Sequence, residues 1–356
     1  MAKIIVTGAG SAQSNGVINC LLMDNEQNEI IGLGSDRYDL MLSKAHKKYL
    51  VPYSTHDNYK EVLLKVLRQE KPDMIHFQHD KELYSAMRFR KEIEDTGVKM
   101  LLPDNDTIDT CVHKYKSYLK FAKAGIKVPR NMIISAPEDL KRAFKELGNS
   151  TNTIWLRAMS IGGGGLGSLP TNNYEDAFNW IENRNGWGSF LAAELLTKRT
   201  VTWLSIWKDG ELIAAQGRKR DSWASSALSV SGVTGMTKVG VTCSDSQVDE
   251  IAKQACYAVS KIPNGIYGVD MAYDEEGIPN PTEINIGRFF TTVEFFAQAG
   301  LNLPIIMKNL CLYNKKPDHS PLLNPLEDGL LWIRGMDVPP VLTTERMIDV
   351  ELTKIW

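Results

Sequence analysis

Cysteine is scarce in this sequence, and no two cysteines have the spacing of a metal or redox motif. The 356 residues contain five cysteines, none of them in a CxxC pair, at Cys20, Cys111, Cys243, Cys256 and Cys311. An odd and scattered set argues against a disulfide framework and is typical of reduced thiols. We therefore expect a cytoplasmic protein without structural disulfides.

Long hydrophobic runs and an excess of charge of one sign are missing as well. No apolar run approaches the roughly 18 residues that span a bilayer, and the chain enters an apolar stretch at Lys3–Thr7 without a signal-peptide pattern. Lysine and arginine number 41 against 43 aspartate and glutamate residues, a formal net charge of -2. This balance favours neither nucleic acid nor a membrane as a partner. The length predicts roughly two or three subdomains.

What the sequence does contain is a stretch, Gly265–Arg288, that predicts a β-hairpin. Ile266–Tyr273 and Thr282–Ile286 are rich in β-branched, apolar and aromatic residues, and Asp274–Gly277 supplies a polar turn between them. We therefore expect the two strands to pair in antiparallel register about this turn.

Three polar residues of this hairpin are predicted to share one face. If the turn centres between Glu276 and Gly277, Asp270 lies directly across from Glu283, and Asn285 follows on the same side. Two opposed carboxylates repel each other and destabilise a sheet, whereas a bound cation would turn them into a site. Two carboxylates and an amide oxygen are hard ligands that suit Mg²⁺. The alternative is a hairpin whose polar face is simply solvated.

Four consecutive glycines follow a predicted strand that ends at Arg157. They are Gly162, Gly163, Gly164 and Gly165. Packing does not explain such a run, because glycine carries a high backbone entropy. Exposed N–H groups can wrap phosphate oxygens, and an arginine at the strand end is a suitable phosphate partner. The run is not a Walker A loop, since no Gly-Lys-Ser/Thr follows. We predict a phosphate contact; a flexible linker is the alternative.

The N-terminal part alternates predicted strands and helices, which favours a parallel sheet covered by helices. Strand Ile4–Thr7 runs into a glycine-rich turn and a helix, as in nucleotide-binding α/β units. The G-x-G-x-x-G fingerprint is incomplete, because Gln13 stands at its third glycine. A structural Rossmann-like domain is therefore favoured over a dinucleotide site. The alternation is predicted to continue through helix Lys81–Glu94 and strand Val98–Leu102.

A second hairpin is predicted for Thr200–Trp207 and Glu211–Arg218, which an Asp-Gly turn joins. Alternation by two places Arg218 and Arg220 on one face at the end of its second strand. Arginine binds carboxylates bidentately, so we predict that both residues hold a substrate carboxylate. A solvated basic strand end is the alternative. The stretch that follows, Ser222–Gly235, has the composition of a lid or substrate loop.

Together these motifs resemble the ATP-grasp ligases, in particular single-copy relatives of the carbamoyl-phosphate synthase large subunit. The resemblance covers about the first 310 residues and is carried by GVDMAYDEEGIPNPTEINIGRF, WLRAMSIGGGGLGS, HKYKSYLKFAKAGIKVP and LAAELL. It implies α/β and α+β architecture, the ATP-grasp fold with an N-terminal Rossmann-like pre-ATP-grasp domain over residues 1–103. Linker helices and the lid subdomain would occupy 104–196, and the C-terminal ATP-grasp subdomain with the metal hairpin 197–356.

The resemblance also implies roles for individual residues. Those that correspond to the family's ligands of Mg²⁺, or of Mn²⁺ in its place, are Asp270, Glu283 and Asn285. Those that correspond to its catalytic and phosphate-contacting groups are Arg288, Arg157 and Lys114, with the lid loop of Gly162, Gly163, Gly164 and Gly165. Those that correspond to the hinge that reads adenine are Glu194, Leu195 and Leu196.

The sequence departs from the family pattern at three points. Ile286-Gly287 replaces a single proline before Arg288, and His113 stands where aspartate is common. No acid follows the hinge within Thr197–Thr202, although the family often places one there on the ribose. This last departure leaves the ribose contact and the choice of nucleotide open.

The function that the resemblance implies is that of a ligase. ATP would phosphorylate a small-molecule carboxylate, giving an acyl phosphate and ADP, and an amine would displace phosphate to form an amide. The alternatives are a carbamoyl-phosphate-synthase-like kinase acting on bicarbonate or carbamate, and a nucleotide-binding regulatory protein without turnover. An NAD-dependent oxidoreductase that uses the first glycine turn is a weaker alternative. Family relatives are often homodimers, so a homodimer is an expectation carried over from the family.

Overall fold

Three β-sheets form the framework of the molecule. The structure, a computed structural model, describes residues 1–159, 167–224, 236–335 and 339–351. Within these ranges two sheets have four strands and one has eight, and helices pack against them. None of the described helices combines the length and the apolar character needed to cross a membrane.

The first sheet is parallel, as the βα alternation predicted, with strand order β3-β2-β1-β4. Its strands are β1 Lys3–Val6, β2 Glu29–Gly34, β3 Lys47–Leu50 and β4 Met74–His76. Its helices are α1 Ala12–Leu22, α2 Arg37–Met41, α3 Tyr59–Glu70, α4 Asp80–Ala86 and α5 Arg90–Glu94. The strands are apolar because helices cover the sheet, and β1 is almost completely buried.

Two predicted elements of this region differ from the structure. Val98–Leu102 makes an isolated bridge from Lys99 to Met74 and is not a strand, and at its end the carbonyl of Leu102 accepts a hydrogen bond from the Asn264 side chain. The helix predicted for Lys81–Glu94 is broken between α4 and α5. Phe89 packs edge-on against a tyrosine ring and adopts a non-helical backbone with φ -131° and ψ 31°.

The second sheet is small and antiparallel, with strand order β5-β8-β6-β7. Helices α6 Asn105–Val112 and α7 Lys114–Lys123 lead to it. Its strands are β5 Asn131–Ile134, β6 Ile154–Ala158, β7 Leu169–Thr171 and β8 Phe190–Glu194, and its helices are α8 Pro137–Leu147 and α9 Tyr174–Glu182. The apolar faces of both helices pack on this sheet and form a core of its own.

The third sheet has eight strands, in the order β13-β12-β9-β10-β11-β15-β16 with β14 beside β10. Its strands are β9 Thr200–Lys208, β10 Glu211–Trp223, β11 Thr237–Cys243, β12 Gly265–Tyr273, β13 Pro279–Ile286, β14 Leu322–Leu323, β15 Leu331–Ile333 and β16 Val341–Thr343. Its helices are α10 Ser246–Val259, α11 Val293–Gln298, α12 Leu303–Tyr313 and α13 Glu345–Glu351. Both predicted hairpins are confirmed: β9 pairs with β10, and β12 pairs with β13.

Two hydrophobic cores join the parallel sheet to the eight-stranded sheet. One contains Ile5 and Phe77 together with Trp203 and Tyr267, and the other joins α1 to α11 and α12. The small sheet contributes no residue to either core, and its own core consists of residues between Ile134 and Ala192. The molecule is therefore a large packed body carrying a separately packed small sheet.

Candidate functional site

The hairpin β12–β13 holds its polar residues in the predicted register. Asp270 pairs directly with Glu283, and Gly268 pairs with Asn285. Ile284 and Ile286 are 3% and 1% exposed on the opposite face. The turn between the strands is closed by a hydrogen bond from the Gly277 N–H to the Asp274 carbonyl, and Gly277 has φ 80°. The predicted cross-strand arrangement of the acids is therefore confirmed.

Asp270 is surrounded by hydrogen-bond donors. Its Oδ1 accepts from Nη2 of Arg220 at 2.9 Å and from the Thr202 hydroxyl, and its Oδ2 accepts from the Asn285 amide at 3.0 Å. The Asp270 side chain is only 15% exposed. The carboxylate is thus held in one orientation and compensated by a cation of the protein.

Glu283 has its own cation partner. Nζ of Lys114, the first residue of α7, lies 2.5 Å from its Oε2. The positive charge of Lys114, together with those of Arg157 and Arg288, lowers the pKa of Glu283 to about 2, against the opposing effect of burial. Glu283 is therefore ionised at any physiological pH.

Arg288 links the hairpin to the parallel-sheet body. Its guanidinium binds Asp80 at the start of α4 in a bidentate pair, with 2.8 Å between Nη2 and Oδ2. The same Nη2 donates to Oδ1 of Asn285. Asp80 was not recognised in the sequence, because a lone acid at the start of a helix carries no signal beyond that of a favourable terminal charge.

Arg157 lies near the end of β6 and is 9% exposed. It donates to the carbonyl of Thr282 at 3.2 Å, and its Nε has no hydrogen-bond partner among the described residues. The glycine run that follows, Gly162–Gly165, lies outside the described residues. The phosphate contact predicted for those glycines stays a prediction.

Arg218 and Arg220 project from the same face of β10, as alternation predicted, while Lys219 between them is exposed. Arg218 is 1% exposed and donates to the hydroxyls of Thr292 and Thr202 at 2.6 and 3.0 Å. Its guanidinium lies over the ring of Phe290, 4.4 Å from the centroid. Burial and the neighbouring Arg220 lower the pKa of Arg218, so this charge is held at a cost that a bound anion would offset.

The predicted hinge lies at the end of β8. Glu194 is the last residue of the strand, and its carboxylate binds the backbone N–H and the guanidinium of Arg130 at 2.8 and 2.7 Å. Leu195 and Leu196 continue from it into the cavity wall described next. The N–H of Thr197 then donates to the carbonyl of Tyr273 at 2.9 Å, which joins the hinge to the hairpin.

The predicted site residues that the structure describes, together with Asp80, line one cavity of about 420 Å³. Its charged lining consists of six cations and four carboxylates: Lys114, Arg157, Lys198, Arg218, Arg220, Arg288, Asp80, Glu194, Asp270 and Glu283. Six buried side-chain atoms of the described residues lack a hydrogen-bond partner, and three belong to this wall, namely Arg157 Nε, Thr200 Oγ1 and Arg218 Nε. A buried unpartnered polar atom is costly, so the cavity is suited to a polar and anionic ligand.

The hairpin residues also fit a divalent cation. Asp270, Glu283 and Asn285 lie on one face of the hairpin and carry hard oxygen donors, although Asn285 directs its amide nitrogen to Asp270 and its oxygen to Arg288. No group of three or more His, Cys, Asp and Glu side chains in the described ranges is placed to hold a metal alone. An ion here would need water or ligand oxygens to complete its coordination, as Mg²⁺ does when phosphates bind it.

Close packing accounts for one glycine of the first glycine turn. Gly10 has φ 101°, and a Cβ placed on it would lie 1.9 Å from the carbonyl oxygen of Asp39. Ser11 caps α1 by accepting a hydrogen bond from the Ser14 N–H. The turn therefore needs glycine in order to pass the α2 backbone.

Comparison with known proteins identifies the fold. No family model matches the sequence, and no curated protein matches it significantly. Among solved structures, an L-amino acid ligase from Bacillus licheniformis has a TM-score of 0.68 and 10% identity over 93% of this chain and 79% of that chain.

Two further structures are similar to the same extent. The biotin carboxylase domain dimer of a Hydrogenobacter thermophilus 2-oxoglutarate carboxylase, in complex with MgADP, ADP and bicarbonate, has a TM-score of 0.70 and 16% identity over 94% of this chain and 74% of that one. A carboxyaminoimidazole ribonucleotide synthase from Aspergillus clavatus, complexed with ATP, has a TM-score of 0.69 and 14% identity over 93% and 81%. At identities this low, the structural similarity shows a shared fold and nothing more.

Proposed function

Because the chain has the ATP-grasp fold, we propose that it is an ATP- and Mg²⁺-dependent ligase that joins a carboxylate to an amine. The observation that carries the proposal is that one cavity brings together the proposed metal ligands, the apolar hinge and guanidinium atoms that have no partner in the described part of the chain. The structural neighbours include ligases described with ATP or MgADP, which supports the same choice of nucleotide.

The reaction proceeds in two steps. A carboxylate oxygen of the substrate bonds to the γ-phosphorus of ATP while the bond from that phosphorus to the bridging oxygen breaks, and ADP leaves with the electron pair. The amine nitrogen then attacks the acyl carbon, phosphate leaves, and the nitrogen loses a proton. The product is an amide with release of ADP and phosphate.

The phosphates lie among the cations of the cavity. Arg157, Arg288 and Lys114 surround the hairpin carboxylates, and their charges stabilise the negative charge of the transferring group. Mg²⁺, held by Asp270, Glu283 and Asn285, supplies charge neutralisation and alignment of the phosphates when bound. The glycine run Gly162–Gly165 would cover the phosphates and exclude the water that hydrolyses acyl phosphates.

The nucleoside lies at the other end of the cavity. The backbone of Glu194, Leu195 and Leu196 would read the adenine edge, with the leucine side chains against the ring. The acid that the family often places on the ribose is absent; Thr200, whose hydroxyl has no partner among the described residues, lines the same wall and would bind a ribose hydroxyl instead.

The substrate carboxylate binds to Arg218 and Arg220. Nε of Arg218 has no hydrogen-bond partner among the described residues, and the ion pair of Arg220 with Asp270 places the Arg220 guanidinium beside the proposed metal ligands. A carboxylate bound there is next to the transferring phosphate, as in-line attack requires.

A second candidate shares the phosphorylation step. The similar biotin carboxylase domain is described with bicarbonate, so a kinase acting on bicarbonate or carbamate is supported by the same fold. A nucleotide-binding protein without turnover is the third candidate, and the absent ribose acid favours it. The domain dimer among the neighbours supports a homodimer for this chain, which sedimentation would test.

Product analysis tests the ligase proposal. The full chain is incubated with ATP, Mg²⁺ and pools of amino acids or bicarbonate, and nucleotides are separated by chromatography. We expect ADP and inorganic phosphate in equal amounts, dependent on the acid. AMP with pyrophosphate would contradict acyl-phosphate chemistry, and tight ATP binding without any product would favour the regulatory candidate.

A further inference from the structure

Three arginines lie on one face of the eight-stranded sheet, and the third belongs to a segment that carried no sequence signal. Arg220 on β10 pairs with Gly240 on β11, and Gly240 pairs with Trp332 on β15. Directly paired residues of antiparallel strands project to the same face. Arg334 follows Trp332 by two residues, and its N–H continues the pairing by donating to the carbonyl of Lys238 at 2.9 Å. Arg334 therefore shares the face of Arg220.

Gly240 on β11, which has no side chain, leaves space for the arginine side chains on either side of that strand. A Cβ on Gly240 would lie 3.2 Å from Cδ of Arg218 and 3.6 Å from Cγ2 of Thr237. Arg334 donates to the carbonyl of Thr237 at 3.4 Å, and Thr237 lines the cavity. The guanidinium of Arg334 is thus attached to the cavity wall at the end where Arg218 and Arg220 lie.

The charges of this face are only partly compensated. Among the described residues, Arg220 has a carboxylate within ion-pair distance, that of Asp270, whereas Arg218 and Arg334 have none. Burial and the positive charges of Arg220 and Arg334 all lower the pKa of Arg218. The charge of Arg334 therefore acts on the Arg218 guanidinium. Glu294 opposes the lowering of the Arg334 pKa from a longer distance. Within the described part of the chain, two cations at this end of the cavity, Arg218 and Arg334, therefore have no carboxylate partner.

A single substrate carboxylate cannot stay bound to these arginines through both steps of the proposed reaction. Its oxygen becomes bonded to phosphorus in the first step, and its carbon is attacked by the amine in the second. A group that anchors the substrate through both steps must therefore be a different one.

Resting on the proposed function, we infer that the acceptor acid carries a second anionic group, a carboxylate or a phosphate, which binds between Arg218 and Arg334. The reacting carboxylate then lies on the Arg220 side, next to the hairpin. The substrate class is that of small dianionic acids.

Binding of simple anions to the full chain tests the inference. Acetate, malonate, succinate and inorganic phosphate are titrated by calorimetry at equal ionic strength, with Mg²⁺ and a non-hydrolysable ATP analogue present. We expect a dicarboxylate to bind at least about tenfold more tightly than acetate, since one charge-assisted contact contributes roughly that factor. Tight phosphate binding with weak dicarboxylate binding would assign the second group as a phosphate.

Variants of the third arginine make the test specific. Arg334→Gln should lose the preference for dianions, Arg334→Lys should keep part of it, and Arg346→Gln, at an exposed arginine of α13, should keep all of it. Equal binding of acetate and dianions by the wild type, or an unchanged preference in Arg334→Gln, would overturn the inference. Titration of the ATP analogue alone checks that each variant is folded. Absence of nucleotide binding by the wild type would overturn the ligase proposal and this inference together.

Discussion

At the scale of residues, the site is a set of paired charges. Asp270 is bound to Arg220, Glu283 to Lys114, and Asp80 to Arg288. The sequence suggested that the opposed acids of the hairpin need a metal ion to coexist, but cations of the protein already compensate them. A metal ion at the proposed site would therefore compete with two ion pairs, and we expect it to bind together with an anionic ligand that pairs with the displaced Lys114 and Arg220.

Glu283→Gln tests the proposed metal ligand. Glutamine keeps the size of the side chain and can still accept a hydrogen bond from Lys114, so we expect the variant to fold. Loss of the negative charge should abolish turnover of ATP, because the metal ion that neutralises the phosphates loses one of its ligands. Circular dichroism and ADP release measure the two effects. Glu275→Gln, at an exposed position of the same hairpin, is the control, and near-normal activity of Glu283→Gln with an unchanged Mg²⁺ requirement would refute the assignment.

Arg218→Ala and Arg220→Ala should have different effects, because only Arg220 is paired with a proposed metal ligand. For Arg218→Ala we expect the KM of the acid to rise roughly ten- to a hundredfold while the KM of ATP stays nearly constant. For Arg220→Ala the Mg²⁺ requirement should change as well. Steady-state kinetics at several Mg²⁺ concentrations separates the two cases. If neither variant alters the KM of the acid, the carboxylate is held elsewhere.

Glu82 should make the stability of the molecule depend on pH. It accepts a hydrogen bond from the Thr7 hydroxyl at 2.5 Å, and burial raises its pKa from the ordinary value of 4.5 to about 7. A carboxyl group with a raised pKa stabilises the fold fully below about pH 4.5, and this contribution is lost as the pH rises through about 7. The loss is at most about 3 kcal/mol.

Urea unfolding between pH 5 and 8 measures this effect. Relative to wild type, Glu82→Gln should lose less stability on going from pH 5 to pH 8, whereas Glu61→Gln, at an exposed position, should behave as wild type. Parallel pH profiles for the wild type and Glu82→Gln would contradict the raised pKa.

At the scale of elements, the sequence predicted those whose signal is local. Asp209-Gly210 and Gly277 have positive φ, as the predicted turns require, and the strands on either side of them are correct. The predicted pair of Asp270 with Glu283 is present, but the turn alone does not set it: the turn pairs Tyr273 with Pro279, and a register shift between Asp270 and Met271 then brings Asp270 opposite Glu283. Strands β11, β14, β15 and β16 were not predicted, because they are short or follow a long loop and are held by partners distant in the chain. Arg334 was missed for the same reason.

Gly10→Ala tests whether the first glycine turn serves packing or a cofactor. Alanine at φ 101° would be strained, and its Cβ would overlap the Asp39 carbonyl. We expect a loss of roughly 2–4 kcal/mol in the free energy of unfolding without a change of nucleotide preference. Gly97→Ala is the matched control, because Gly97 has φ 88° with no atom within 4 Å of its Cβ. Strain alone should cost about 1 kcal/mol there. Equal losses would contradict the packing explanation.

At the scale of the whole molecule, the proposed function depends on a cavity shared by separately packed parts. Arg157 and the hinge come from the small sheet, the hairpin and Arg218 from the large one, and Asp80 from the parallel-sheet body. The small sheet has its own core, whereas two cores join the other sheets. A ligand in the cavity would therefore add contacts between the small sheet and the rest of the molecule, which share no core. Because no shared core holds the small sheet to that body, we expect the ligand to stabilise it most.

Hydrogen exchange with and without MgATP tests this expectation. A ligand present at about a hundred times its dissociation constant stabilises the bound state by about 2.7 kcal/mol, which slows local opening roughly a hundredfold. Peptides from residues 131–158, 167–194 and the hairpin 265–288 should become protected, and those from 59–70, which are remote from the cavity, should not. NAD at the same concentration is the control and should protect none of them. Protection by NAD at residues 3–34 would instead support a dinucleotide site at the first glycine turn, and a uniform effect of MgATP on all peptides would show that the small sheet does not open independently.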